Sequence, residues 1–313
     1  MEATAAVLSE PEQISLRRLP LSEPGNEDAV VDIQWSGIST GTERLLWSGR
    51  MPPFPGMGYP LVPGYEAVGV VAEAGLQSGV SVGDYVFVPG SNCFGEVRGL
   101  FGASASRLVV PGRRVVTIPE TLGAHGILLA LAATAYHAIA APGAERPDCI
   151  IGHGVLGRLL ARITIALGAP APVVWEKNPI RQQGAIDYSV VDPADDSRKD
   201  YCAIYDVSGD AGLIDTLVSR LSYGGEIVLA GFYSDRLSFA FPPAFMREAR
   251  FRIATQWQPA DLTAVNQLIA SGGLCLDGLL THSEPADHAP AAYRTAFNDP
   301  ACLKMLLDWR AFS

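Results

Sequence analysis

The chain has 313 residues, 48% hydrophobic and 18% charged, with a formal net charge of −10 and a pI near 5.0; it reads as a soluble, globular protein of about two domains. Its acidic balance argues against a nucleic acid or an anionic membrane surface as partner, and no basic run reverses that; peripheral membrane contact stays open, with no anchor in the sequence. Met1-Glu2-Ala3-Thr4 lacks the pattern of a signal peptide, and the longest apolar run, 126–141, is too short for a transmembrane segment and reads as a buried helix.

Residues 1 to about 120 read as mostly β, with short runs at 29–33, 67–71, 85–88 and 114–118 separated by Gly, Pro and Asp turn signals. Between them, 51–64 is dense in proline and glycine and carries Phe54, Met57 and Tyr59. It is either a rigid loop over the core or a wall of an apolar pocket, since prolines hold such side chains at low entropic cost.

From about 122 the pattern alternates helix and strand: helix 126–140, strand 149–151, helix 155–167, strands 173–176 and 203–207, helix 213–221, and strands 226–230 and 251–255. That alternation is the signature of an α/β fold with a doubly wound parallel sheet. Acidic 192–200 reads as a solvated loop. The five cysteines (93, 149, 202, 275, 302) form no C-x-x-C pair, which suits reduced thiols in a cytoplasmic protein.

The most informative stretch is 149–176. Gly152, Gly154 and Gly157 follow the apolar strand and open the helix at Val155 and Leu156, and Glu176 ends the next strand, 24 residues after Gly152. In that order they form a dinucleotide-binding fingerprint: a tight turn, a backbone that approaches the pyrophosphate, close helix–strand packing, and an acid for the ribose hydroxyls. The helix N-terminus adds free N–H groups for the phosphates. Ligands of such sheets sit beyond the strands' carboxyl ends, which adds Ser208, Gly231 and Phe232 to the cofactor residues. Glu176 opposes a 2′-phosphate and so selects NAD over NADP, although Lys177 and Arg181 follow closely and could soften that preference.

The chain resembles the medium-chain dehydrogenases/reductases. The matching motifs span nearly its whole length: Gly64-Tyr65-Glu66 with Gly69, Gly75 and Gly83-Asp84, then Ala133-Thr134-Ala135-Tyr136, the fingerprint, Gly224-Gly225 and Leu303-Lys304-Met305-Leu306. The resemblance implies a discontinuous GroES-like catalytic domain, 1–121 with 270–313, around a Rossmann domain, 122–269. It also implies that Thr134 packs against the nicotinamide, that Lys304 reaches the diphosphate, and that the protein is a homodimer joined through the nucleotide-domain sheet edge.

The zinc branch of that superfamily holds its metal through a cysteine and a histidine, at positions where this chain has Gly37-Ile38-Ser39-Thr40-Gly41-Thr42-Glu43 and Gly64-Tyr65-Glu66. Hydroxyl side chains are poor zinc ligands, so no zinc is expected. More narrowly, 36–44, 52–56 and 90–95 resemble the bacteriochlorophyllide dehydrogenases. This implies NAD-dependent oxidation of a 3-(1-hydroxyethyl) group on a tetrapyrrole to an acetyl group, in a slot lined by Trp47, Met51, Phe54, Met57 and Tyr59. Without a metal, a side chain must take the alcohol proton. By the family pattern the candidates are Tyr65, holding the substrate oxygen, and Thr42 or Glu66, passing the proton outward. His137 reads as a structural histidine, and His153, inside the glycine turn, is expected to face phosphate or solvent. A zinc-independent quinone or enoyl reductase and a nucleotide-binding protein without catalysis stay open as alternatives.

Overall fold

In the computed structural model, which describes residues 1–53 and 55–312, the chain forms two compact units, 1–130 with 279–313, and 131–278. The first unit is built on Asp28–Ile38, an eleven-residue strand that pairs with Met305–Asp308, Ala67–Ala74 and Arg107–Pro111. His282–Pro285, Tyr85–Val88 and Val116–Thr117 extend this sheet outward. A second, four-stranded sheet runs Gln13–Pro20, Glu2–Glu10, Leu61–Val62, Arg98–Gly99. Apolar side chains of both sheets, among them Val7, Leu8, Val30, Ile33, Val71 and Leu108, close over one core, and consecutive buried residues in the strands Glu2–Glu10 and Asp28–Ile38 show both faces of those strands covered. The run expected as a strand at 114–118 is shorter: Gly112–Arg114 make a tight turn, and only Val116–Thr117 pair with Tyr85–Val88.

The second unit is a six-stranded, wholly parallel sheet in the order Ser189–Val191, Val173–Trp175, Cys149–Ile151, Tyr201–Asp206, Leu221–Leu229, Arg250–Ile253. The first strand in sequence, Cys149–Ile151, lies in the middle. The chain winds outward from it in one direction, then returns to its other side at Tyr201, which creates the switch point where such sheets bind ligands. Strand Ser189–Val191 is too short and too polar at its start to be read from the sequence. Its two connections, 176–188 and 192–200, contain no helix.

Side chains hold these helix-free connections in place. The buried Arg158 guanidinium donates to the carbonyls of His153, Arg181, Gln183 and Gly184 at 2.6–3.1 Å, tying the 181–184 turn to helix Val155–Ala166. In the acidic loop expected to be merely solvated, Asp196 accepts from Trp175 Nε1 at 2.6 Å and from the Tyr201 hydroxyl at 2.5 Å.

The unit boundaries fall at 131 and 279, where the sequence suggested 122 and 270. Residues Glu120–Leu128 stay with the first unit because Gly126 sits against Val68 and Ile118, where a Cβ would not fit. Residues up to 278 stay with the second because the Arg162 guanidinium donates to the carbonyls of Cys275 and Asp277. The helical stretch Glu120–Ala140, at 21 residues, is longer than the apolar run suggested and passes a length-and-hydropathy test for a membrane span. It is broken at Gly123, whose φ of 49° is not helical. Its apolar side chains, Ile127, Leu128, Leu129 and Ala132 among them, are buried within the protein, as in a core helix.

Candidate active site

In the first unit, a group of hydroxyls and acids gathers where the zinc branch of the superfamily keeps its metal. Strand Asp28–Ile38 runs out at Ile38, and the short helix Thr42–Trp47 follows, so Ser39, Thr42 and Glu43 fall within one turn. Tyr65 and Glu66 arrive from the chain just ahead of strand Ala67–Ala74. The Ser39 and Tyr65 hydroxyls are 2.7 Å apart, Tyr65 is also hydrogen-bonded to Thr42, and its ring meets Phe101 edge-on at 5.6 Å. Burial, then the negative charge of Glu66, push the phenol far above its ordinary range, so Tyr65 is a neutral hydrogen-bond donor and not a base.

Two acids lie under these hydroxyls. Glu43 accepts from the Ser39 amide at 2.9 Å and from the Tyr293 hydroxyl at 2.8 Å; Tyr293 also contacts Ser104 at 3.1 Å. Burial, opposed in part by the Ser39 amide, pushes the Glu43 carboxyl up to about 8, so it carries its proton at neutral pH. Glu66 is also fully buried. Burial raises its carboxyl above the ordinary range, and the Lys304 ammonium, 2.6 Å from Oε2, offsets that rise in part. The sequence reading missed Glu43, Ser39 and Tyr293 as members of this network. Glu43 stands in the quoted motif, but only its burial gives it a perturbed proton affinity.

Lys304 was expected at the cofactor diphosphate. Its side chain is instead 1% exposed and committed to Glu66, because the strand it precedes, Met305–Asp308, pairs beside Asp28–Ile38. The expected slot is also corrected. Trp47 stacks on Tyr293 with ring centres 6.1 Å apart and belongs, with Met51, to the hydrophobic core. Met57 and Tyr59 are half-buried against the same core, and the Tyr59 hydroxyl donates to the Leu46 carbonyl at 2.5 Å. Trp47 and Met51 are used for packing and offer no open wall. Phe54 lies outside the described residues.

In the second unit the residues expected to bind the cofactor lie mainly at the carboxyl ends of adjacent strands. Gly152, with φ of 101°, makes the turn out of Cys149–Ile151 and packs against Ser208, while a Cβ on Gly157 would strike the Gly152 carbonyl. Around Gly154 there is open space, and Val155 and Leu156 begin the helix. Glu176 follows Val173–Trp175; its Oε2 accepts from the His153 amide at 3.1 Å and its Oε1 from the Asn178 amide at 2.8 Å. The Ser208 amide donates to Asp206 Oδ1 at 2.8 Å, and Gly231 lies against Val207, with Phe232 exposed beyond it. Thr134 is half-buried on helix Leu129–Ala140.

His153 does not face phosphate or solvent. It is fully buried, with Nδ1 2.6 Å from the Arg181 carbonyl and Nε2 2.7 Å from the Tyr188 hydroxyl. Burial lowers its imidazole to about 4, so it is neutral and structural at ordinary pH. His137 Nδ1 pairs with Asp261 at 2.8 Å, and that same carboxylate caps helix Pro259–Ala270, in keeping with a structural histidine.

Because Glu43 binds its proton more tightly in the folded protein, folding stability falls as pH rises from about 4.5 to about 8. Its contribution to the slope is about 1.4 kcal/mol per pH unit within that window. Chemical denaturation across the window is expected to show this decline in the parent and a flatter profile in Glu43→Gln; parallel profiles would contradict the assignment.

Comparison with known proteins agrees with this arrangement. The GroES-like domain of alcohol dehydrogenases matches residues 25–120. Across 99% of both chains, the protein is 59% identical to 2-desacetyl-2-hydroxyethyl bacteriochlorophyllide A dehydrogenase of Cereibacter sphaeroides. It is 58% identical, again over 99% of both chains, to the protein of that name from Rhodobacter capsulatus. Among solved structures, 2R,3R-butanediol dehydrogenase from Bacillus subtilis shares the fold, with a TM-score of 0.82 over 98% of this chain and 99% of that one at 19% identity. An alcohol dehydrogenase from Escherichia coli CFT073, solved with NADH, has the same TM-score, coverage and identity. On the strength of the full-length identity, the chain belongs to the 2-desacetyl-2-hydroxyethyl bacteriochlorophyllide A dehydrogenase family, within the medium-chain dehydrogenases/reductases.

Proposed function

We propose that the protein is an oxidoreductase that converts the 3-(1-hydroxyethyl) group of a bacteriochlorophyllide to a 3-acetyl group in bacteriochlorophyll biosynthesis, with NAD as hydride acceptor. The observation that carries this reading is the 59% identity over 99% of both chains to a dehydrogenase whose name states that substrate. In the reaction the carbinol C–H leaves as hydride to the nicotinamide, the O–H bond breaks, a ketone forms, and one proton is released.

A zinc ion fits poorly among the side chains present. The Ser39 and Tyr65 hydroxyls are weak zinc donors engaged with each other, and Glu66 is bound by Lys304. Among the described residues, no group of three His, Cys, Asp or Glu side chains converges to hold a metal. The proton path therefore runs through side chains. Tyr65, a neutral phenol oriented by Ser39 and Thr42, donates to the substrate oxygen and stabilises the alkoxide as it forms. Glu66 takes the proton.

The preference for NAD rests on Glu176, whose carboxylate is anchored by two backbone amides at the strand end. A 2′-phosphate about 4 Å away would cost about 1–4 kcal/mol between bulk-water and near-surface dielectrics. The cysteine spacing, which forms no C-x-x-C pair, supports a cytoplasmic setting. The outer strand Arg250–Ile253, with exposed Ile253, Phe241, Phe245 and Met246 around it, supports a homodimer formed by a second copy pairing along that edge.

The first test is an absorbance time course with NAD and the hydroxyethyl pigment. Acetyl pigment and NADH are expected to appear together; no change in either band, with NAD bound, would sink the reading and favour a reductase or a non-catalytic protein. Tyr65→Phe and Glu66→Gln should each lose roughly 10²–10⁴-fold in kcat/KM. Glu176→Ala should reduce the NAD/NADP selectivity ratio about tenfold or more, and an unchanged ratio would refute its role. Sedimentation should find a dimer that Ile253→Asp converts to monomer.

A further inference from the structure

Three neighbouring strands of the first unit meet at a residue without a side chain. Gly37 lies on the middle strand; its amide donates to the Glu66 carbonyl at 2.7 Å on one side, and it pairs with Leu306 on the other. Lys304, two residues ahead of Leu306, meets Glu66 Oε2 beside Gly37 with both side chains buried. A Cβ at position 37 would collide with that same oxygen. Glycine is therefore what admits the ion pair. The second carboxylate oxygen, Oε1, is buried and has no hydrogen-bond partner among the described residues.

A buried ion pair is a poor way to gain stability, since desolvation offsets most of the attraction. A buried oxygen without a partner is a further cost. Both costs become intelligible if the carboxylate has a chemical task. One oxygen is fixed by the ammonium, and the other is a desolvated acceptor of fixed direction.

We propose that Lys304 is a positioning residue of the oxidation: as counter-cation to Glu66 it holds Oε2 and keeps the carboxyl ionised, leaving Oε1 to accept the proton of the alcohol. This rests on the reading of Glu66 as proton acceptor. The groups facing Glu66 fit the role. Tyr65, Tyr293 and Glu43 are the other titratable neighbours in electrostatic contact with it. Both phenols are neutral, and Glu43 keeps its proton up to about 8. The single ammonium therefore faces a single carboxylate. When the alcohol O–H breaks, its proton bonds to Oε1, the hydride reduces NAD, and the protonated acid later releases its proton to solvent.

The experiment compares full-length parent, Lys304→Met, Lys304→Arg and Glu66→Gln by two readouts. One is the pH profile of kcat/KM; the other is the infrared band of the Glu66 carboxylic acid, assigned by its loss when Glu66→Gln is added to Lys304→Met and recorded without cofactor or pigment. Losing the cation raises the affinity of Glu66 for its proton, so in Lys304→Met the acidic limb should move up by about 1–3 pH units. The acid band, absent in the parent at pH 7, should appear, and Lys304→Arg should return both readouts toward the parent. A folded Lys304→Met with an unmoved limb and no band, while Glu66→Gln is inactive, would overturn the role of Lys304 and leave that of Glu66. A Glu66→Gln enzyme turning over at the parent rate would remove both. If Lys304→Met does not fold, Gly37→Ala, which forces Oε2 away from the ammonium, should raise the same band; its absence there would equally overturn the proposal.

Discussion

The buried contact between Lys304 and Glu66 is the constraint on which the first unit depends. It joins residues 238 positions apart at 2.6 Å, and removing one partner of such a pair costs about 3–5 kcal/mol by stranding a charge. The C-terminal strand Met305–Asp308 must therefore return to the side of Asp28–Ile38, and Gly37 must stay without a side chain. Around that contact the sheet holds the turn that carries Ser39, Thr42 and Glu43, so the geometry of the hydroxyl group follows from the ion pair.

The electrostatics of this site follow from burial more than from any single partner. Two glutamates lie near one another, with Lys304 the cation paired to one of them among the described residues, and they separate into different states: Glu43 neutral, beneath an amide and a phenol, and Glu66 paired with the ammonium. Environments that drive two acids apart in this way are how a protein obtains distinct proton affinities from the same side chain.

In the nucleotide unit, economy of chain length places a similar load on one arginine. The outer strand Ser189–Val191 is reached and left without helices, and a loop has no ladder to satisfy its carbonyls. Arg158 supplies donors to three of them, at Arg181, Gln183 and Gly184, and the same turn gives His153 a carbonyl acceptor within its buried site. The His153 amide, in the glycine turn, and the Asn178 amide, in the helix-free connection, together fix Glu176 at the strand end.

The sequence alone determined the elements whose signals are local. The parallel sheet, the turn at Gly152, the helix at Val155 and the acid at Glu176 were legible because glycine conformation, helical periodicity and strand alternation act within a few residues. The resemblance to a superfamily extended that reading to the discontinuous β-rich domain. Only the tertiary structure decided the roles that depend on what lies opposite. Lys304 looked like a free cation until the strand pairing set it against Glu66, and Trp47 and Met51 looked like pocket walls until the core claimed them. Glu43 was an unremarked motif residue until burial changed its proton affinity. The physical reason is the same in each case: charge state and accessibility are set by neighbours distant in sequence, and no periodicity or spacing records which neighbours those will be.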